Sequence, residues 1–436
     1  MSRKEPRRGA AWRHPSIIGA LMIILGLLGM SIYAVVALPL HEAIHIWNGA
    51  TKEVRYTPTY AMPAWTNLFR RVDLPETIDV RKPSADFASE AVNETVSRLS
   101  AEWSFEYRYV TFPKEVSFFS QATYGEHRPI LTLTWVRPDG QEIQFYRGQA
   151  QAYQRTRLEH EFGLEELLGR AEGSGSAERE ALPGIYRVRA ELLTTGEDVS
   201  LEGRLILYGR VHGIAGTDGE GRDLSIPLLW GTPIALIFGI LATLGTTIIS
   251  FVVAAIGAWF GGFTDAAIQR MTEVSMMLPM LPILMMIGRF FSSSLWVILG
   301  CVVALGILTA SVKTYRAAFL QLREAPYIEA ARCYGAKGFR IVFRYLMPSL
   351  IPVMLPSLVL GIPRFVFLEA SLAVLGLSDP QLPTWGKVLS LGRDAIYVGH
   401  LHMVAEPAGL LLLTGLSFSM LGYSLDRVFN PRLRSQ

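Results

Sequence analysis

Two cysteines in 436 residues leave almost no room for disulfide chemistry. Cys301 and Cys333 fall in or beside apolar runs, so the long polar stretch from residue 41 to 227 has no disulfide framework to fold around. Charge is also scarce, at 18% of residues, and its absence is regional. Residues 16–40 carry none over 25 positions, and residues 224–264 carry none over 41. Residues 274–288 and 290–312 are split only by Arg289, residues 345–378 hold only Arg364 and Glu369, and residues 407–425 are uncharged. A span needs about 20 predominantly apolar residues, so these runs predict six transmembrane helices, the third being the shortest. Also missing is G-x-x-x-x-G-K-[ST]: Gly386-Lys387 is followed by Val388, and Gln381 stands where the first glycine belongs. The chain therefore has no phosphate-cradling loop of that kind, and any ATP hydrolysis belongs to another subunit.

The charges that are present orient the spans. Arg3, Lys4, Arg7, Arg8 and Arg13 precede the first span, and Arg427, Arg432 and Arg434 follow the last. An even number of spans puts both ends on one side, which the positive-inside rule makes the cytoplasm. The inside segments then hold 16 Lys and Arg, whereas residues 41–227 hold 21 basic and 28 acidic residues. The formal charge of +3 hides this asymmetry and does not point to nucleic acid. The division that follows is a basic cytoplasmic N-terminus (1–15), transmembrane helix 1 (16–40), an extracytoplasmic insert (41–210), an outer segment (211–227), a transmembrane core (228–425) with a cytoplasmic loop (313–348), and a cytoplasmic C-terminus (426–436). A cleaved signal peptide would begin similarly, but a run of 25 is long for one and right for a span.

The insert reads as β-rich. Residues 129–136 and 142–146 alternate around a Pro138-Asp139-Gly140 turn, and residues 184–192 and 201–211 have the same extended pattern, which suggests a sandwich. Residues 153–170 read as a helix and 173–177 as a polar loop. Arg155, Arg157, His160 and Glu161 cluster there as a solvated helix face. Ahead of the insert, His41-Glu42-x-x-His45 has the spacing of a helical zinc site with Glu42 as general base. This makes a membrane-anchored zinc metalloprotease the alternative reading. The longer form of that pattern wants Gly and His where Asn48 and Thr51 stand, and an interfacial segment with Trp47 at headgroup level explains the residues without metal.

In the core, small residues of the second span (Gly239, Ala242, Gly245, Thr246, Ala254, Ala255 and Gly257) favour close helix packing. Met276, Met277, Met280, Met285 and Met286 crowd the third as adaptable filling. Asp265, Arg270 and Glu273 form a short inner loop opening a helix. Residues 323–348 form a basic loop held between two spans. Its first half reads as a short helix, with Pro326 at the first position, Tyr327, Ala331 and Tyr334 on one face, and Gly335 as the cap. Residues 339–346 are again helical, and Pro348 opens the next run.

Glu329-Ala330-Ala331, three residues, Gly335, and Pro348 thirteen residues later resemble the EAA loop of ATP-binding-cassette (ABC) importer permeases. Gly216-Thr217-Asp218, two residues, then Gly221-Arg222-Asp223 is similar to a segment before the second span in dipeptide, oligopeptide and nickel permeases, although His212 lies one residue further out than that pattern sets it. Residues 369–376 resemble the same group's E-A-x-L-S-F-L-G, residues 383–386 its P-S-W-G with Thr384 for Ser, and residues 430–434 its D-P-R-L-R with Asn430 for Asp. These matches run in order over about half the chain. The resemblance implies an all-α, six-helix type I permease core with the extracytoplasmic insert between helices 1 and 2. It implies ATPase coupling through Tyr327, Glu329, Ala330, Ala331, Gly335 and Pro348, and an outer gate or pore mouth at Gly216, Thr217, Asp218, Gly221, Arg222 and Asp223. The expected partners are a homologous second permease, two ATPase subunits that use ATP and Mg, and an extracytoplasmic substrate-binding protein. The expected location is the bacterial inner membrane, with no cofactor or metal bound by this chain. Peptides are the favoured cargo, although the same pattern also serves nickel and glycosides. Arg364 is not a usual residue of the family; with Glu369 it is a candidate for the translocation path. Five positions apart, the two lie about 140° around a helix and are not expected to pair.

Overall fold

A computed structural model describes residues 15–49, 56–82, 88–91, 93, 96–125, 127–160, 162–169, 180–195 and 199–429. The basic N-terminus, residues 173–177 and the segment from Asn430 onward lie outside the described residues. The chain divides into two units, residues 1–48 with 226–436, and residues 49–225.

The first unit opens with α1 (Pro15–Ala37) and, after Pro39, the short α2 (Leu40–Trp47). The second unit contains β1 (Ile78–Lys82), β2 (Ala88–Ala91), β3 (Ser97–Tyr107), β4 (Glu115–Thr123), β5 (Ile130–Val136), β6 (Glu142–Gln149), β7 (Gln154–Arg157), α3 (Gly163–Leu168), β8 (Gly184–Thr194) and β9 (Ser200–Tyr208). The strands form two sheets ordered β1-β9-β4-β7 and β2-β3-β8-β5-β6, antiparallel throughout. Inward residues alternate along β5 and β8 as a half-buried sheet requires. Trp103 of β3 joins the two sheets, its ring edge-on to Phe118 of β4 at 5.0 Å and its indole N–H donating to Gly203 O of β9 at 3.1 Å. A Cβ on Gly203 would fall 2.1 Å from that ring, so the indole itself dictates the glycine.

The helix expected over 153–170 is not formed. Gln154–Arg157 is an edge strand on β4, and helix begins only at Gly163, whose φ of 71° marks the break. Tertiary pairing overrides the local pattern there: Arg155 bonds Glu115 and lies 5.3 Å over the Phe119 ring. Arg155 and Arg157 thus belong to a sheet edge, and Glu161 lies outside the described residues.

The first unit resumes with α4 (Ser225–Phe260), α5 (Gly262–Met277), α6 (Met280–Phe290), α7 (Leu295–Gly306), α8 (Ala310–Arg323), α9 (Pro326–Cys333), α10 (Gly338–Ile341), α11 (Met347–Leu372), α12 (Trp385–Ala395) and α13 (His402–Phe429). Among the described residues, four helices are long and apolar enough to cross a membrane, or up to six if each of two bent pairs counts as one span. Those pairs correct the expectation of simple spans at 274–288 and 290–312. α5 and α6 meet at 74°, and α7 and α8 at 45°. Pro279 and Pro282 remove the N–H groups that a continuous helix would use at the first break. At the second, Thr309 turns extended (φ −125°, ψ −177°), and the freed Ile307 carbonyl accepts from the Ser250 hydroxyl of α4. α12 falls where only a short outer loop was expected.

Small residues set the helix spacing, as their pattern predicts. A Cβ on Gly239 would lie 2.7 Å from Val366 of α11, and one on Gly245 would lie 2.9 Å from Val303 of α7.

In the insert, Arg204 of β9 grips Asp79 of β1, with Nε to Oδ1 at 2.8 Å. Burial raises the Asp79 carboxyl, but the hydrogen bond and charge of Arg204 outweigh it and hold the group below its ordinary value. The pair's contribution is therefore present above about pH 4 and lost on further acidification. Asp79→Asn is expected to flatten that part of the acid dependence in proteolysis of the insert. Gly203→Val, which forces a side chain into Trp103, should destabilise the insert by about 3 kcal/mol, seen as faster protease cleavage between β1 and β9.

Candidate functional site

The basic loop is built on α9. Arg323 ends α8 with its Nη1 donating to Ala258 O of α4 at 3.0 Å. Ala325 is extended (φ −74°, ψ 141°), as a residue before proline prefers, and Pro326 takes the first helical turn. Eight residues are too few for a helix to persist alone, so tertiary contacts hold α9. Ile328 is buried in a cluster with Phe251 of α4, Phe319 of α8, and Ile341 and Leu346 beyond the turn, and Ala331, three positions on, is buried as well. The expected shared face of Tyr327, Ala331 and Tyr334 is not observed. Ala331 points inward beside Ile328, whereas Tyr327 and Tyr334 are exposed, because the isoleucine offers the larger apolar area to bury.

Glu329, Ala330 and Tyr334 form the outward surface, Tyr334 being 92% exposed. Glu329 sits in the first turn, where the helix dipole favours a carboxylate. Gly335 closes the helix at φ 75°, and the N–H groups of Gly335 and Ala336 return to Arg332 O and Ala331 O. The chain then enters α10 and passes through a π-helical turn at Val342–Leu346 into α11, whose first turn contains Pro348. Tyr327 hydroxyl meets Ser349 Oγ at 3.3 Å, so both ends of α9 are linked to the start of α11. Arg332 lies 4.6 Å over the Trp259 ring of α4, and Phe339 packs on Phe260 at 5.2 Å.

Two further charged contacts brace this end. Asp265 of α5 and Arg316 of α8 form a two-pronged pair, with Nε to Oδ1 at 2.6 Å, and Lys313 reaches Glu273 at 3.4 Å. Arg316 escaped the sequence reading because its partner is 51 positions away.

In the insert unit, the expected pore-mouth residues form a tied turn. Thr217 Oγ1 donates to Pro58 O at 2.6 Å and accepts from Ala61 N–H at 2.9 Å. Asp218 is buried; it accepts from the N–H groups of Glu220 and Arg222, each at 2.9 Å, and from Arg222 Nε at 2.7 Å. Gly216 and Gly221 have φ of 71° and 81°, and a Cβ on Gly216 would meet Ala61 O at 2.2 Å. Asp223 accepts from Ser225 N–H at 2.8 Å, at the start of α4.

Arg364 and Glu369 are not brought together. Glu369 is buried and hydrogen-bonds Thr384, whose hydroxyl also accepts from Lys387 N–H at 3.1 Å. Beside it the fully buried Trp385 donates to Leu228 O of α4 at 2.9 Å. Arg364 instead lines a cavity of about 280 Å³. His41 and His45 are exposed on α2, and no group of three metal-ligating side chains occurs among the described residues.

Residues 248–435 match the family model described as a binding-protein-dependent transport system inner membrane component. A protein of Brucella suis biovar 1 named as a peptide permease is 31% identical over 221 residues, which cover 50% of this chain and 72% of the relative. The chain belongs to the ABC importer permeases, in their peptide group. The dipeptide transport system permease protein of Bacillus subtilis is 29% identical over 50% of this permease and 68% of its own length. The glutathione transport system permease of Pectobacterium atrosepticum is 29% identical, over 50% and 73%. Membership makes this permease a multi-pass inner-membrane subunit of an importer family that works with ATPase and substrate-binding subunits.

The tied turn gives a stability prediction. Asp218→Ala removes the buried carboxylate that accepts from Arg222 Nε and from the N–H groups of Glu220 and Arg222, a loss of about 3 kcal/mol. Faster hydrogen exchange at residues 56–63 and 216–225 would register it.

Proposed function

We propose that this permease forms half of a peptide translocation pathway and is driven through α9. Its termini and the α9 loop face the cytoplasm and its insert faces outward. A homologous second permease completes the path, two ATPase subunits consume ATP and Mg, and an extracytoplasmic protein delivers the peptide. The observation that carries the reading is the two-sidedness of α9. Ile328 is fixed in a core with α4, α8 and the start of α11 and Ala331 is buried beside the turn, while Glu329, Ala330 and Tyr334 point away as a compact surface for a groove. A push on that surface has little slack to absorb it before it reaches α11, because the connection is one glycine turn and a helical path from Gly338 to Leu372. The motion switches access only if the two states hold the docked ATPases with different free energy.

The Gly216–Asp223 turn acts as a rigid collar at the outer pore mouth, supported by its closed hydrogen-bond set. The insert receives or guides the substrate-binding protein, or shields the entrance; the acidic excess of residues 41–227 and an independent aromatic core suit a separately built receiving surface.

A pull-down in mild detergent tests the coupling. Wild type should co-purify with its ATPase subunits. Glu329→Lys reverses the charge of the outward surface, and Gly335→Pro removes an N–H at a φ proline cannot adopt; both should lose ATPase subunits or uncouple ATP hydrolysis from uptake by tenfold or more, on the order of 1.4 kcal/mol. Normal coupling in both variants would refute the assignment of α9. Deleting residues 56–208 should leave ATPase co-purification intact while abolishing stimulation by the substrate-binding protein.

A further inference from the structure

The insert holds a group of large apolar side chains in the open. Residues Ala64–Phe69 form a 3-10 helical segment, in which Trp65 and Leu68, three apart, share a face. Leu68 and Phe69 are each 82% exposed, and Ile214 is 80% exposed. They form one patch, because the Trp65 indole N–H donates to Ile214 O at 2.9 Å and its ring meets Phe69 edge-on at 6.3 Å. The segment is clamped in this position. Asn67 accepts from Leu74 N–H at 3.1 Å and donates to Leu74 O at 3.0 Å, which closes residues 68–73 into one outward loop. Ala64 N–H donates to Gly213 O at 2.9 Å, and His212 N–H to Met62 O at 2.8 Å. Apolar side chains fixed in water are costly unless something covers them.

Position and charge identify the cover. Gly216 O accepts from Leu224 N–H at 3.1 Å, so the chain folds back and Ile214 lies within about 20 Å of Ser225. At Ser225 the insert unit ends and α4 begins, a helix apolar enough to cross the bilayer. Arg70 and Arg71 follow Phe69, are exposed, and make no ion pair among the described residues. Residues 54–72 contain no acidic residue, although residues 41–227 as a whole carry an acidic excess. Tryptophan, leucine and phenylalanine with arginines beside them make the pattern of a segment lying at a bilayer surface, its apolar side chains at the acyl boundary and its guanidiniums among phosphates.

We propose that this patch anchors the insert to the lipid surface of the leaflet that α4 enters. Leu68, Phe69 and Ile214 enter the headgroup–acyl boundary, and Arg70 and Arg71 meet lipid phosphates.

The opposite end of the sandwich supplies a control. Tyr107, at the end of β3, donates to Thr111 O, and Thr111 Oγ1 donates to Asp73 O at 3.1 Å, so that end of the strand lies beside the loop. The exposed Ile130 is in register with Leu193, which faces Arg98 of β3, about 30 Å along the strand from Tyr107.

The full-length tagged permease, with the subunits that co-purify, is reconstituted in nanodiscs of phosphatidylethanolamine and phosphatidylglycerol that contain a phosphatidylglycerol with a diazirine near the glycerol end of one acyl chain. After illumination and trypsin digestion, mass spectrometry maps the lipid adducts. The peptide of residues 56–70 should carry lipid at a yield comparable to peptides of α13, and the peptide containing Ile130 should carry none. Leu68→Gln with Phe69→Gln should lower the yield on residues 56–70 by about tenfold, the scale of losing a buried apolar side chain; both side chains are exposed, so the change spares the core. Arg70→Gln with Arg71→Gln should lower it about fivefold. An unlabelled wild-type loop beside labelled α13 overturns the anchor, and so does equal labelling of the Ile130 peptide. A loop that takes up lipid in the permease alone but not with its co-purifying subunits also overturns it and makes the patch a protein contact. A yield unchanged by the arginine substitutions overturns the phosphate contacts.

Discussion

Inside a bilayer every backbone N–H and C=O must find a partner within the protein, and this constraint organises the membrane unit. Helix is the default answer, and each departure from it requires local compensation. At the α5–α6 break two prolines lower the number of donors to satisfy. At the α7–α8 break the Ser250 hydroxyl meets the Ile307 carbonyl. Residues of both breaks line the cavity that also contains the exposed Arg364. The cost of interrupting two spans is tolerable because both interruptions face one pocket rather than lipid.

The same economy explains how a short cytoplasmic helix can govern long membrane helices. α9 has no independent stability and exists because Ile328 completes a core already formed by α4, α8 and the entry to α11. Its position is thus a property of those helices. The Asp265–Arg316 pair and the Arg332–Trp259 contact remove the remaining freedom between α5, α8, α9 and α4. A docked partner would displace a rigid assembly rather than a loop. The insert follows a different principle, with two antiparallel sheets closed over aromatic rings, among them Trp103, Trp135 and Tyr186, which donate to backbone carbonyls.

Much of the candidate site was legible because its residues are local in sequence. Pro326, Gly335 and Pro348 carry backbone constraints that act within a few positions, and the Asp218–Arg222 pair joins residues only four positions apart. The face of α9 was misjudged because helical spacing alone does not say which of two apolar faces has something to bury against. The helix expected over 153–170 failed for a related reason: Gln154–Arg157 is polar and permissive, and the open edge of β4 decided its conformation. Asp265–Arg316, Glu369–Thr384 and Trp385–Leu228 lie beyond the reach of pattern because nothing in either partner's neighbourhood specifies the other.

The sequence by itself determined that the chain has long membrane-compatible runs, an acidic β-rich insert, and a glycine-terminated basic loop, since length, charge and backbone restriction are summed along the chain. Only the tertiary structure decided which side of α9 is buried, that two of the runs are bent, and that Arg364 and not Glu369 lines a cavity. Those outcomes depend on competition between surfaces distant in sequence for the same buried area and the same hydrogen-bond partners, and that competition is resolved only when the helices pack.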